Sequence, residues 1–119
     1  MTGPDGMKAR EAMIRGMFTP ATPAAVQQHV LKMMLAPPES TASGAMLATF
    51  DSANMNDFVT TVPVLGIYAA TPLANSESLK KAFPNSEYVQ VAGTGHFVMM
   101  ERPEEFNRLL LAFLGKVSF

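Results

Sequence analysis

The chain of 119 residues contains no cysteine. That removes disulfides, thiolate nucleophiles and cysteine-based zinc sites from the chemistry open to it, and it fits a reducing compartment, so the cytoplasm is the default expectation. Charge of either sign is sparse and nearly balanced, 9 Lys and Arg against 10 Asp and Glu, for a formal net charge of -1. Such a balance leaves no electrostatic footprint for a nucleic acid, and no basic stripe with interleaved aromatics runs along the chain. No apolar run reaches the ~18 residues that a membrane span requires. The opening Met1-Thr2-Gly3-Pro4-Asp5-Gly6 lacks the charged and apolar regions of a signal peptide. Only two histidines are present, and His29 has no Asp or Glu at helical spacing, so it reads as a helix-surface residue. No metal, phosphate or cofactor site is expected.

What is abundant is apolar: 48% of residues are hydrophobic and ten are methionine, enough for one core with soft, adaptable surfaces. The first part reads as helix only. Ile14, Met17 and Phe18 fall at i, i+3 and i+4 in a helix over 7–18 that Thr19-Pro20 stops. Thr22-Pro23 reads as N-cap and first residue of a second helix, with Val26, Val30, Met33 and Met34 in helical period until Pro37-Pro38. A third helix is expected over 38–49, with Ala45, Met46 and Phe50 inward. Ser43-Gly44 lies inside it, so Ser43 reads as a helix-surface serine.

The second part opens with Val62-Pro63-Val64-Leu65-Gly66-Ile67-Tyr68, a nearly continuous apolar run of the kind found in strands covered on both faces. A helix over 75–83 and a short strand over 88–91 complete a parallel βαβ unit. The last helix starts at Pro103, carries Glu104 and Glu105 where the helix dipole favours acid, and ends near Gly115-Lys116. Its inward stripe is Phe106, Leu109, Leu110 and Phe113. Residues 1–50, 51–61 and 62–119 thus form a helical segment, a connection and a β-α-β-α part.

Between the second strand and the last helix stands Gly93-Thr94-Gly95-His96-Phe97-Val98-Met99-Met100-Glu101-Arg102-Pro103-Glu104-Glu105-Phe106. An isolated loop histidine ordinarily just bonds a nearby carbonyl. Here the glycines permit a sharp turn that presents an imidazole at the carboxyl end of the sheet, where a general base belongs. The segment resembles the α/β-hydrolase stretch in which a Gly-His pair leaves the last strand, followed by an apolar turn, Glu-x-Pro and a helix. The Val62-Pro63-Val64-Leu65 strand resembles the one that precedes that family's usual catalytic acid. The resemblance implies a partial α/β-hydrolase fold, with three cap-like helices ahead of the parallel β-α-β-α unit. It also implies an esterase-like serine hydrolase acting on a small, largely apolar ester, with His96 as general base and then general acid.

Other parts of the pattern differ. No Gly-x-Ser-x-Gly nucleophile elbow occurs in the sequence; in family order the elbow, the oxyanion-hole loop and the earlier strands would precede residue 1, and the chain alone is then expected to be inactive. In Ala69-Ala70-Thr71-Pro72, Thr71 stands where the family commonly has Asp, and a hydroxyl cannot carry the charge that stabilises an imidazolium. The acid is either relocated or lost. Asp51 and Asp57 read as turn or cap residues, and Glu101 as the residue fixing the start of the last helix. Met33, Met34, Met99 and Met100 are core filling or, in a cap over an acyl pocket, the lining of an apolar channel. A second reading is a non-catalytic module that associates through an exposed sheet edge, with itself or with a missing N-terminal part.

Overall fold

A computed structural model of the chain describes residues 4–55, 59–72 and 74–117. Residues 1–3, at the start of the N-terminal hexapeptide, and Asp57 lie outside the described residues. Three helices come first: α1 (Pro4–Arg15), α2 (Ala24–Leu35) and α3 (Glu39–Thr49), followed by a 3-10 turn at Ser52–Asn54. Then come β1 (Val64–Tyr68), α4 (Ser76–Ala82), β2 (Ser86–Gln90), the single turn α5 (Val98–Glu101) and α6 (Pro103–Leu114). The expected fold class, helices ahead of a parallel β-α-β-α unit, is the one found.

α1 ends at Arg15, short of Phe18. Gly16 is a poor helix residue, and the chain tightens there, with Met17 N–H donating to Ile14 O (3.0 Å) and Phe18 N–H to Arg15 O (3.2 Å). The Met17 carbonyl is thereby left for another donor. α2 begins at Ala24 with Pro23 as N-cap and no side-chain cap bond. Thr22 does not cap it, because its hydroxyl is engaged elsewhere. α3 buries no residue: Met46 is 38% and Phe50 73% exposed, and Ala45 is exposed too. The inward face expected for α3 is therefore corrected, since its apolar residues find no cover among the described elements.

β1 and β2 pair in parallel with Val64 opposite Ser86 and Tyr68 opposite Gln90. The second strand starts two residues earlier than its apolar run, because pairing with β1 extends through the polar Ser86 and Glu87. Every residue of β1 is half-buried, not fully covered, as suits a strand with one partner among the described residues. Asn75 begins α4 with a capping box: it accepts from Ser78 N–H (2.9 Å) while Ser78 Oγ accepts from Asn75 N–H (3.2 Å). The α6 stripe of Phe106, Leu109, Leu110 and Phe113 is half-buried throughout.

A buried cluster joins the two parts of the chain. Ile14 of α1, Val30 of α2 and Phe97 from the loop after β2 form it, with Met17, Phe18, Met34 and Met100 against it. Each such side chain contributes roughly 1.5–3 kcal/mol by leaving water. Met34 and Met100 thus fill core, whereas Met33 (45%) and Met99 (48%) face outward.

Candidate active site around His96

The loop that carries His96 is built residue by residue from backbone bonds. After β2, Val91 N–H donates to Tyr68 O (2.9 Å) and extends the pairing by one step. Gly93 then takes φ +70°, a torsion that side chains resist. The buried Thr94 closes the turn by donating its hydroxyl to Val91 O (2.8 Å). Gly95 N–H points at both carboxylate oxygens of Glu101 (3.1 and 3.0 Å), His96 N–H donates to Met17 O (3.0 Å), and Phe97 enters the helical core. Thr94, Gly95, Phe97 and Val98 are buried, and His96 between them is exposed.

Gly93 and Gly95 serve different ends. Gly93 supplies the torsion, and a Cβ there would meet nothing within 4 Å. Gly95 supplies room: a Cβ there would lie 2.5 Å from Met17 O and 3.0 Å from Glu101 Oε1. The sequence suggested torsional freedom at both.

The imidazole of His96 packs edge-on against Phe97, ring centroids 5.3 Å apart at 78°, and makes no side-chain hydrogen bond among the described residues. The stretch after β1 is stitched to the same loop. Ala70 N–H donates to Thr94 O (3.2 Å), and Gln90 Nε2 donates to Ala70 O (2.6 Å). This brings the neighbour of Thr71 to within two residues of His96 along the loop, and Thr71 itself is exposed. The structure therefore juxtaposes the two loops that the sequence pattern paired.

The remaining candidates lie elsewhere. Asp51 caps the 3-10 turn by accepting from Ala53 N–H (2.9 Å), Ser43 sits inside α3, and His29 is exposed on α2. Glu101, expected to fix the start of the last helix, is 5% exposed at the end of α5, and its carboxylate accepts from Gly95 N–H and from the Thr22 hydroxyl (3.0 Å). Arg102, held at φ -139° ψ 62° before Pro103, separates α5 from α6 because a residue before proline avoids the helical region. No single-sequence signal could pair Thr22 with Glu101 across 79 positions. Two shallow depressions, one between α4 and β2 at Ser76, Lys80 and Tyr88 and one at the start of α6, are not bordered by His96.

Among solved structures, the chain is similar to a thermophilic esterase, with a TM-score of 0.74 and 28% identity over 95% of this chain and 47% of that one. It is also similar to an enzyme that degrades N-acyl homoserine lactones, with a TM-score of 0.68 and 23% identity over 94% of this chain and 52% of that one. No family model and no curated protein matches the sequence. The chain spans about half the length of the solved structures it matches. With its parallel β-α-β-α unit and the helices packed on the loop after β2, the chain has a partial α/β-hydrolase fold.

Proposed function

We propose that these residues form the C-terminal part of an esterase-like serine hydrolase acting on a small, largely apolar ester, with His96 as its catalytic base. In this reading residues 1–50 are the end of a cap, 51–61 the connection and 62–119 the last two strands of the sheet with their helices. The observation that carries the reading is the exposure of His96 alone within the buried run from Thr94 to Val98, on a loop bonded on three sides. A catalytic imidazole needs this combination of fixed backbone and accessible ring. The likeness to a thermophilic esterase supports the choice of reaction class.

The chemistry asks one nitrogen of His96 to take the proton of a serine hydroxyl as the serine oxygen attacks the ester carbonyl. The same proton then goes to the departing alkoxide, and water repeats the sequence to release the acid. In this reading the serine and its oxyanion hole come from residues outside this sequence, and the carboxylate for the second ring nitrogen is either relocated or lost, since Thr71 offers a hydroxyl where the family commonly places the acid. Glu101 bonds Gly95 N–H and the Thr22 hydroxyl and makes no bond to the imidazole of His96 among the described residues, so it is not that carboxylate.

The test is hydrolysis of short p-nitrophenyl esters by the isolated chain, and by the chain mixed with the half of the thermophilic esterase that it does not match. No turnover is expected alone. Turnover is expected on mixing, and not with His96→Ala. Hydrolysis by the isolated chain that disappears in His96→Ala would overturn the view that it is catalytically incomplete.

A second reading, a non-catalytic module that associates through its exposed sheet edge, has its own support. Leu47, Phe50, Met55, Val59 and Val62 are each more than half exposed, and a two-stranded sheet is marginal without further packing. Size-exclusion chromatography with light scattering separates the two: a well-folded monomer at micromolar concentration counts against association.

A further inference from the structure

We infer that Glu101 and Thr22 form a latch through which the turn between α1 and α2 positions His96. Glu101 is the one charged side chain among the described residues that is buried. A carboxylate taken out of water is costly unless donors surround it. The first turn of α6 already carries Glu104 and Glu105, so the helix dipole alone does not account for burying a third carboxylate beside them.

What the carboxylate does is join two distant stretches. Thr19 N–H donates to Thr22 Oγ1 (2.9 Å), and the Thr22 hydroxyl donates to Glu101 Oε2 (3.0 Å). Gly95 N–H donates to the same carboxylate, at 3.1 Å from Oε1 and 3.0 Å from Oε2. Such a chain of bonds around one buried charge is mutually reinforcing. The next residue along, His96, donates its N–H to Met17 O, in the same turn. Both bonds that hold the peptide groups at 95 and 96 therefore lead to residues 17–22, and a displacement of that turn displaces the histidine backbone with it. Glu101 and Thr22 are positioning residues in this account; neither touches the imidazole. Its functional meaning rests on the assignment of His96 as the catalytic base, which makes the helical segment a determinant of where that base sits.

A latch and a merely stabilising contact differ in what they loosen. The experiment is amide hydrogen exchange and histidine ring NMR on the full chain, comparing wild type with Thr22→Val, Thr22→Ser and Glu101→Gln. Thr22→Val removes the bond to the charged acceptor Glu101 together with the one accepted from Thr19 N–H. It is expected to speed exchange at Gly95 and His96 about tenfold, while Val91, bonded to Tyr68 O, stays as protected as before. The ring protons of His96 are expected to lose the shift imposed by Phe97, and Thr22→Ser, which keeps the hydroxyl, is expected to restore both signals. Glu101→Gln keeps one oxygen and is expected to fall between wild type and Thr22→Val. Exchange and ring shifts unchanged in Thr22→Val would overturn the latch, as would equal acceleration at every amide. None of these readouts involves turnover, so failure of the latch leaves the hydrolase reading standing, and the reverse holds too.

Discussion

A methyl group at position 95 puts the account of the His96 loop under direct stress. The Cβ of Gly95→Ala would stand 2.5 Å from Met17 O, 3.0 Å from Glu101 Oε1 and 3.4 Å from Phe18 Cα. A carbon and a carbonyl oxygen settle at roughly 3.3 Å or more, so the loop must retreat by about 0.8 Å from a backbone atom that has no rotamer to change. That retreat stretches His96 N–H to Met17 O from 3.0 Å beyond useful range and weakens the bonds from Gly95 N–H to Glu101. A neutral hydrogen bond contributes about 1 kcal/mol and one to a charged group about 1.5–3 kcal/mol, which sets the expected loss at about 2.5–4 kcal/mol. Gly93→Ala is the control, with φ +70° but open space around its Cβ, and costs about 1–2 kcal/mol from torsion alone. Urea unfolding of the two variants beside wild type, read as free energies at unchanged slope, measures both. Gly95→Ala costing no more than Gly93→Ala would refute the claim that the loop is packed against the α1–α2 turn.

Three further outcomes follow from the packing. Ile14→Ala empties the centre of the cluster around Phe97, where Ile14 is 0% exposed, and is expected to lower unfolding free energy by about 2–5 kcal/mol in the same assay. Asn75→Ala removes the capping box of α4 and is expected to cost about 1 kcal/mol. Leu47→Ser with Phe50→Ser alters residues that are 74% and 73% exposed, so stability is expected to change by no more than about 0.5 kcal/mol for each; a larger loss would mean that this face is covered in the folded chain.

Local chemistry makes much of this fold readable in the sequence. Proline and glycine punctuation placed the helices, Asn75 marked the start of α4, and the apolar run at Val64–Tyr68 marked β1. Gly-x-Gly-His followed by Glu-x-Pro located the loop that the structure brings beside the stretch after β1. Long-range partnerships were not readable. The Thr22 hydroxyl looked like a helix cap because that is the local use of such a residue, yet a carboxylate 79 positions away takes it. Glu101 read as the acid that fixes the start of the last helix, and its bonds to Gly95 N–H and the Thr22 hydroxyl come only with the folded path of residues 94–98. The face of α3 went wrong for the converse reason: periodicity reports which residues could be buried together, and burial also needs a neighbour to cover them.

The central claim is that His96 is the base of a serine hydrolase. It is tested most directly by replacing the matching half of the thermophilic esterase with residues 1–119 and measuring kcat for a p-nitrophenyl ester in the folded chimera. The account predicts turnover with His96 and a fall of at least about 10⁴-fold in His96→Ala, in the range seen when a triad member is removed. A folded chimera in which His96→Ala keeps the parent kcat would contradict it.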